Sequence, residues 1–525
     1  MNHDAAISLQ ELLMNVNDSN IEATSDAILS SFYVKSQQSV SFLVHNFFIA
    51  AYCRPMAMMP LAKLLYSVFS GGNEANCCKF ILTAISFENN NAHHLPYYFY
   101  FCLMKAGFPQ KIILYSVVTL LERSAEKFLY NKQLGDFKDN RIFYGYALFA
   151  PELIATNNFE WFQLQIEYYK KDYGIEIYPN VETFFEIFDE LKANNWEKYN
   201  KQRDYGWTPN EIYMAIQSDD EVKLEQLSHN PNFDVNAPIP WSAFERCEFL
   251  QNEPKPVHIA AFFNSPKCLS FLVANGADLH ATDSAGRTII QFAIAGGNED
   301  TRILDREKVS YDGAIHIAAR FHRYHQFDSL RAMKGCDLTK DVKGLGTILH
   351  QASISNNVKI LSFFGNFANQ NDTKNSLQLD FNVKANDLRN STPLILAIKN
   401  FNFEATEYLL SLQQVDVNAT DKLGKAPLHH ACKRGYTDYI KILFKKSSIN
   451  PNPLDQYHQT PVYFAAAGGY FQTLKELLNH NGVDVNIRDR MGMTPRQSYL
   501  DMSMAASIHV CYGDIIRLLK KHERR

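Results

Sequence analysis

His316, His322 and His325 form the one grouping in the chain that suggests a metal centre. A structural zinc needs four convergent nitrogen or sulfur ligands, and no cysteine lies at a usable spacing, so these histidines read as packing residues. Cys432, three residues after His429, places a thiol within a helical turn of a base, which is what nucleophilic catalysis requires. It falls on what reads as the inner helix of a repeated unit, where a cysteine packs as a small apolar residue. Gly344-Leu345-Gly346 is a fragment of a nucleotide-binding fingerprint set in an expected hairpin. The neighbours His93-His94 and His429-His430 point their side chains apart and read as packing or solvated. No phosphate-binding Gly-x-x-x-x-Gly-Lys-Ser/Thr loop, His-Glu-x-x-His helix or Gly-x-Ser-x-Gly elbow occurs. The acidic residues of the first half read as solvated helix faces. No catalytic residue, metal ligand or cofactor is therefore assigned.

Charge points the same way. A net charge of −4 and a pI of about 6.5 give no global reason for nucleic acid or an anionic membrane as partner. The distribution is uneven: from Leu388 onward 18 Lys and Arg stand against 12 Asp and Glu, an excess of +6, which leaves −10 elsewhere. Nine cysteines (Cys53, Cys77, Cys78, Cys102, Cys247, Cys268, Cys336, Cys432 and Cys511) show no Cys-x-x-Cys spacing and read as reduced thiols of a cytoplasmic protein. The N-terminus lacks the pattern of a secretory signal. The most apolar stretch, Ser41 to Cys53, contains His45 and Asn46 and is well short of a membrane span, so a buried helix is expected.

The elements that would position any site follow from a repeat. Thr392-Pro393-Leu394, Ala426-Pro427-Leu428, Thr460-Pro461-Val462 and Thr494-Pro495-Arg496 are spaced 34 residues apart. Extending that register gives starts at Thr208, Lys255, Thr288, Gly313, Thr347, Thr392, Ala426, Thr460 and Thr494: about nine units, irregular before 392 and regular over 392–525. The unit after Thr288 is truncated, and those after Thr208 and Thr347 carry insertions. Proline suits a first helical turn, where its missing N–H has no helical partner. Ala431 lies where a larger side chain would hold the next unit away, and Ile440, Leu443 and Phe444 supply the second helix's apolar face. Four residues after each such alanine the chain must turn, at Asn264, Gly297, His322, Asn356, Phe401, Gly435 and Gly469. Gly, Asn and His suit a left-handed backbone there. Phe401 departs from the pattern, through strain, a shifted loop or a contact. The expected class is all-α: a helical region over 1–207, with Phe159, Phe162, Ile166 and Tyr169 on one stripe and Phe184, Phe188 and Leu191 on another, then a repeat solenoid over 208–525. The aromatic run Leu95 to Phe101 reads as interior.

Ala426-Pro427-Leu428-His429-His430-Ala431, Pro256-Val257-His258-Ile259-Ala260 and Ala314-Ile315-His316-Ile317-Ala318 resemble the ankyrin signature Thr-Pro-Leu-His-x-Ala. Val415-Asp416-Val417-Asn418-Ala419 and Val483-Asp484-Val485-Asn486-Ile487 resemble its second half. The irregular block from Ala293 to Ala319 is similar to the divergent ankyrin proteins of trichomonad-type protists. The resemblance implies a non-enzymatic scaffold that binds a protein, with a role for His316 in bonding nearby backbone. An adaptor, for example of a ubiquitin ligase with the N-terminal helices docked to a larger complex, is the alternative; Leu95-Pro96 is a weak echo of a docking box. Between the aspartate of one unit and the start of the next, exposed hairpins are expected along one edge. Lys422, Leu423, Lys425, Tyr457, Arg490, Met491 and Met493 on that edge are the expected partner-binding residues, matched to an acidic or mixed-charge segment. The insertion Asn366 to Ser376 reads as a polar loop or a partner-selecting finger.

Overall fold

A computed structural model describes residues 3–71, 97–118, 148–155, 188–240, 242, 244–299, 302–333, 336–369, 380–385, 388–505 and 512–523. The expected stripe Phe159–Tyr169, Phe184, the pair His93-His94, Leu95-Pro96 and most of the Asn366–Ser376 insertion lie outside the described residues. The described residues form helices, with three isolated β-bridges and no strand among them. No described helix is long and apolar enough to cross a membrane. The chain divides into two compact units, one of Phe327–Arg525 with Met1–Gln10 added, the other chiefly of Glu11–Asn90 and His94–Gln326.

In the first unit, helices Ile348–Ile354, Pro393–Lys399, Pro427–Arg434, Pro461–Ala467 and Pro495–Ala505 pack in succession, each also packing on the helix that follows it. Proline opens four of these five helices, at Pro393, Pro427, Pro461 and Pro495. Thr392 caps its helix by accepting the N–H of Ile395 on Oγ1 at 3.3 Å, and proline occupies the first turn. Ala397, Ala431 and Ala465 are fully buried where neighbouring first helices meet. Ile440 and Leu443 are buried on the second helix, and the half-buried Phe444 stacks on the His480 ring at 3.8 Å. At the N-terminal end of the chain, Gln10 Nε2 donates to the Asn356 carbonyl and Oε1 accepts the Val358 N–H, while the His3 ring meets Tyr408 edge-on at 5.1 Å.

In the second unit, helices Glu211–Gln217, Pro256–Phe263, Ile289–Gly296 and Ala314–Arg320 pack in the same succession. The helix after Ile289–Gly296 runs only from Arg302 to Arg306, in keeping with a truncated unit. Helix Gln37–Cys53 is the expected apolar stretch; Ser36 Oγ accepts the Ser39 N–H and Ser39 Oγ accepts that of Ser36, both at 3.1 Å, a reciprocal cap. Its far end meets a repeat: Tyr52 stacks on Phe321 at 5.7 Å, and Arg323 Nη2 donates to the carbonyls of Cys53 (3.3 Å) and Ala295 (2.6 Å). Tyr98, Phe99, Tyr100 and Phe101 are buried, as expected for that aromatic run.

Eight of the nine expected starts stand in the residue before the helix, at Lys255, Thr288, Gly313, Thr347, Thr392, Ala426, Thr460 and Thr494. Thr208 does not. Asn210 caps that helix by accepting the Tyr213 N–H at 3.0 Å, because Thr208 is held by the inserted segment: its hydroxyl donates to buried Glu245 at 3.0 Å. All seven turn positions have positive φ, including Phe401 at 62°. Phe401 is there for a contact: it is buried, with its ring 4.9 Å from Tyr436 and 5.7 Å from Tyr439.

Candidate functional site

Each of the last three hairpins is organised by one carboxylate. Asp421 Oδ1 accepts the N–H groups of Leu423 and Lys425, Asp455 Oδ1 those of Tyr457 and Gln459, and Asp489 Oδ1 those of Met491 and Met493, all at 2.9–3.0 Å. The aspartate N–H closes the loop on the fifth residue's carbonyl in all three. Residue four of each tip then has positive φ, at Gly424, His458 and Gly492, with Asn390 in the equivalent place one unit earlier. Side chains at the tip contribute little to this fold, which leaves them available for contact with another molecule.

Successive tips are joined through the main chain. The N–H of Lys422 donates to the Arg389 carbonyl, that of Gln456 to Leu423, and that of Arg490 to Tyr457, at 2.9–3.0 Å. Arg389, Leu423, Tyr457 and Met491 therefore form one row in register, 34 residues apart, and Lys422, Gln456 and Arg490 form the row beside it. Tyr457 is 47% exposed and Met491 80%, and Arg389, Lys422 and Arg490 are exposed. Leu423 and Met493 are half-buried. Lys425 departs from the expectation: it is 8% exposed, its ammonium 3.9 Å from Asp455 Oδ2 and 4.7 Å above the Phe464 ring, so it belongs to the packing between units. Arg287 occupies the same hairpin position and does the same, paired with Asp283 and lying over Phe249 at 4.1 Å. In these two hairpins the side chain at the fifth position folds under the tip.

The histidines hold units together. Nδ1 of His258, His350 and His429 accepts an N–H at the start of its own helix, from Lys255, Thr347 and Ala426 at 3.0–3.1 Å. The proton is thereby placed on Nε2, which donates to a carbonyl further along the chain: Ala281, Val383 and Ser391, or Gln459, at 3.0–3.1 Å. Burial lowers all three to about 4, against the opposing effect of those carbonyls. On the opposite edge Asn382, Asn418 and Asn452 act similarly, each donating to one carbonyl of the next unit (Gln414, Ser448, Gly482) and accepting one N–H (Asp416, Asn450, Asp484).

The chemistry-bearing residues of the sequence sit in this framework. His316 is buried in its helix, His322 bonds the Tyr324 hydroxyl at 3.0 Å with positive φ, and His325 is exposed beside Glu299; no cluster of three metal-binding side chains occurs among the described residues. Burial pushes the Cys432 thiol well up, and both nitrogens of His429 are committed to backbone. Gly344 and Gly346 form a turn closed by the Val342–Gly346 bridge.

A family model described as ankyrin repeats in three copies matches residues 315–421, 369–455 and 394–489, and a second, of many copies, matches 257–305. The C-terminal half of the chain is built of ankyrin repeats. No curated protein matches the chain. Ankyrin repeats are a protein-interaction module, so the exposed hairpin edge is a candidate contact surface.

Proposed function

We propose that the chain is a non-enzymatic scaffold that binds a partner protein along its ankyrin hairpin edge, through Lys422, Leu423, Tyr457, Arg490, Met491 and Met493. The observation that carries this reading is the row of tips joined by main-chain hydrogen bonds, on which Tyr457 and Met491 are exposed between basic residues. The fold does not need a tyrosine or a methionine there, and both types are enriched at interface centres. The basic excess after Leu388 suits an acidic or mixed-charge segment. The free thiols among the described residues agree with a reducing compartment such as the cytoplasm. In this reading residues 1–207 are a helical N-terminal domain and 208–525 the ankyrin-repeat domain. An adaptor would use the same edge to choose its client. His3, Gln10, Tyr52 and Cys53 of the N-terminal helices are engaged with repeats, which weighs against a purely outward docking role.

A photocrosslinking amino acid placed at Tyr457 or Met491, with Lys441 on the second helix as control, tests the reading in native lysate. The expected result is one set of adducts shared by the two tip positions, lost from the Tyr457 probe on Met491→Ala and from the Met491 probe on Tyr457→Ala. Adducts equal at Lys441, or unaffected by the companion substitution, would refute it.

A further inference from the structure

Every main-chain N–H of the last three hairpins is already donated. In each, the first residue donates to the carbonyl of the fifth and the second to a carbonyl of the preceding tip. The third and fifth donate to the aspartate Oδ1 and the fourth to the aspartate carbonyl, all at 2.9–3.2 Å. A strand docks on an edge by exchanging main-chain hydrogen bonds with it, and this edge offers none of the donors such an exchange uses. Recognition therefore falls to side chains. Of the Asp, Lys and Arg side chains in these hairpins, Asp421, Asp455 and Asp489 turn inward onto their own loops and Lys425 packs between units. The charge that remains at the surface is that of Lys422 and Arg490. The next position of each tip is apolar: Leu423, Tyr457 and Met491, the last two the most exposed.

These positions recur once per unit, at an interval set by the packing of neighbouring first helices, about 10 Å. A β-strand returns to the same face about every 6.8 Å, so it meets the first and third of three such tips and misses the middle one. An α-helix rises about 10.5 Å in seven residues, nearly two full turns, and so presents one side chain to every tip. A polyproline helix also keeps step, at about 9.3 Å per turn, but its main chain is unpaired and would leave water for an edge with no N–H to give. An α-helix carries its main-chain hydrogen bonds with it.

We infer that the partner presents an amphipathic α-helix lying along the hairpin edge. Apolar residues about seven apart meet Leu423, Tyr457 and Met491, and acidic residues within a turn of the first and last of them meet Lys422 and Arg490. The inference rests on the reading of that edge as the protein-binding surface and names the form of the segment bound there. Two intervals of about 10 Å take about 14 residues, so four turns of helix span the three tips.

The test uses the full chain with p-benzoylphenylalanine in place of Tyr457 or of Met491, and mass spectrometry to locate the residue of the adduct to which each probe attaches. The expected result is attachment to one segment at positions about seven residues apart. A step of about three, the value for extended or polyproline chain, overturns the helix while leaving the edge as the contact surface. Adducts that the two positions do not share overturn the edge reading and the helix with it. A synthetic peptide of about 20 residues, with leucine at every seventh position and glutamate within a turn of the outer leucines, supplies a probe of known composition. Its binding to the full chain, read by fluorescence anisotropy, should weaken roughly tenfold in Tyr457→Ala and in Lys422→Gln with Arg490→Gln, and should not change in Lys441→Gln. The same peptide with a central proline breaks the helix and should bind roughly tenfold more weakly. Equal binding of the two peptides, no binding of either, or an equal loss in Lys441→Gln would overturn the inference.

Discussion

Acid should loosen the stack well before its carboxylates titrate, and the three bridging histidines supply a definite part of the loss. His258, His350 and His429 are held neutral in the fold, lowered from 6.5 to about 4 by burial. Their unfolded-state values are the higher ones, so between pH 6.5 and 4 the unfolded chain binds protons that the folded chain refuses. Stability therefore falls as pH falls through that window and levels off below it. At pH 5 each imidazole costs about 2 kcal/mol relative to pH 7.5, and the three together set an upper bound of about 6 kcal/mol. That is comparable with the whole stability of an ordinary domain. Protonation would also remove the Nδ1 lone pair that accepts the helix-start N–H. Urea unfolding of the wild type and of His429→Gln, at pH 7.5 and pH 5, measures the effect. The variant should lose about 1 kcal/mol at pH 7.5 from the missing bridge, and should then lose about 2 kcal/mol less than the wild type on acidification. Equal losses in the two proteins would refute the assignment of acid sensitivity to this imidazole.

Ala431→Leu should wedge two first helices apart and cost about 1–3 kcal/mol, read as a lower urea midpoint with an unchanged slope. Gly296→Ala should cost a similar amount, about 1–3 kcal/mol, read as a fall in melting temperature, because its Cβ would meet the Phe262 main chain, with the carbonyl carbon at 2.7 Å and Cα at 3.0 Å. Phe401→Gly relieves about 1–2 kcal/mol of left-handed backbone strain but forfeits about 3–5 kcal/mol of aromatic packing. It should be destabilising on balance, by roughly 1–4 kcal/mol, in the same urea assay; a stabilised variant would show that strain outweighs the contacts with Tyr436 and Tyr439.

Much of this architecture was legible from residue types alone, since each unit is governed by rules that act over a few residues. A small residue is needed where first helices meet, proline is tolerated only in a first turn, and a reversal four residues later needs positive φ; hence Ala431, Pro427 and Gly435 could be placed by counting. The tip residues Tyr457 and Met491 were legible for the converse reason, that nothing local demanded them. Lys425 misled because its charge suggested solvent, whereas the Asp455 carboxylate and Phe464 ring that receive it lie about 30 or more positions away and enter only when the next unit stacks. Thr208 misled in the same way, being drawn to Glu245 by an insertion whose path no periodicity describes.

The sequence by itself determined the repeat, its register, its turns and the edge on which hairpins emerge, because those depend on short-range sterics and hydrogen bonding repeated at a fixed interval. Only the tertiary structure decided which charges are neutralised. It brought Gln10 to Asn356 and Cys53 to Arg323, gave Lys425 a carboxylate and set Lys399 beside the Ser391 hydroxyl. Those outcomes depend on through-space distances between residues far apart in the chain, and such distances exist only after the units have stacked.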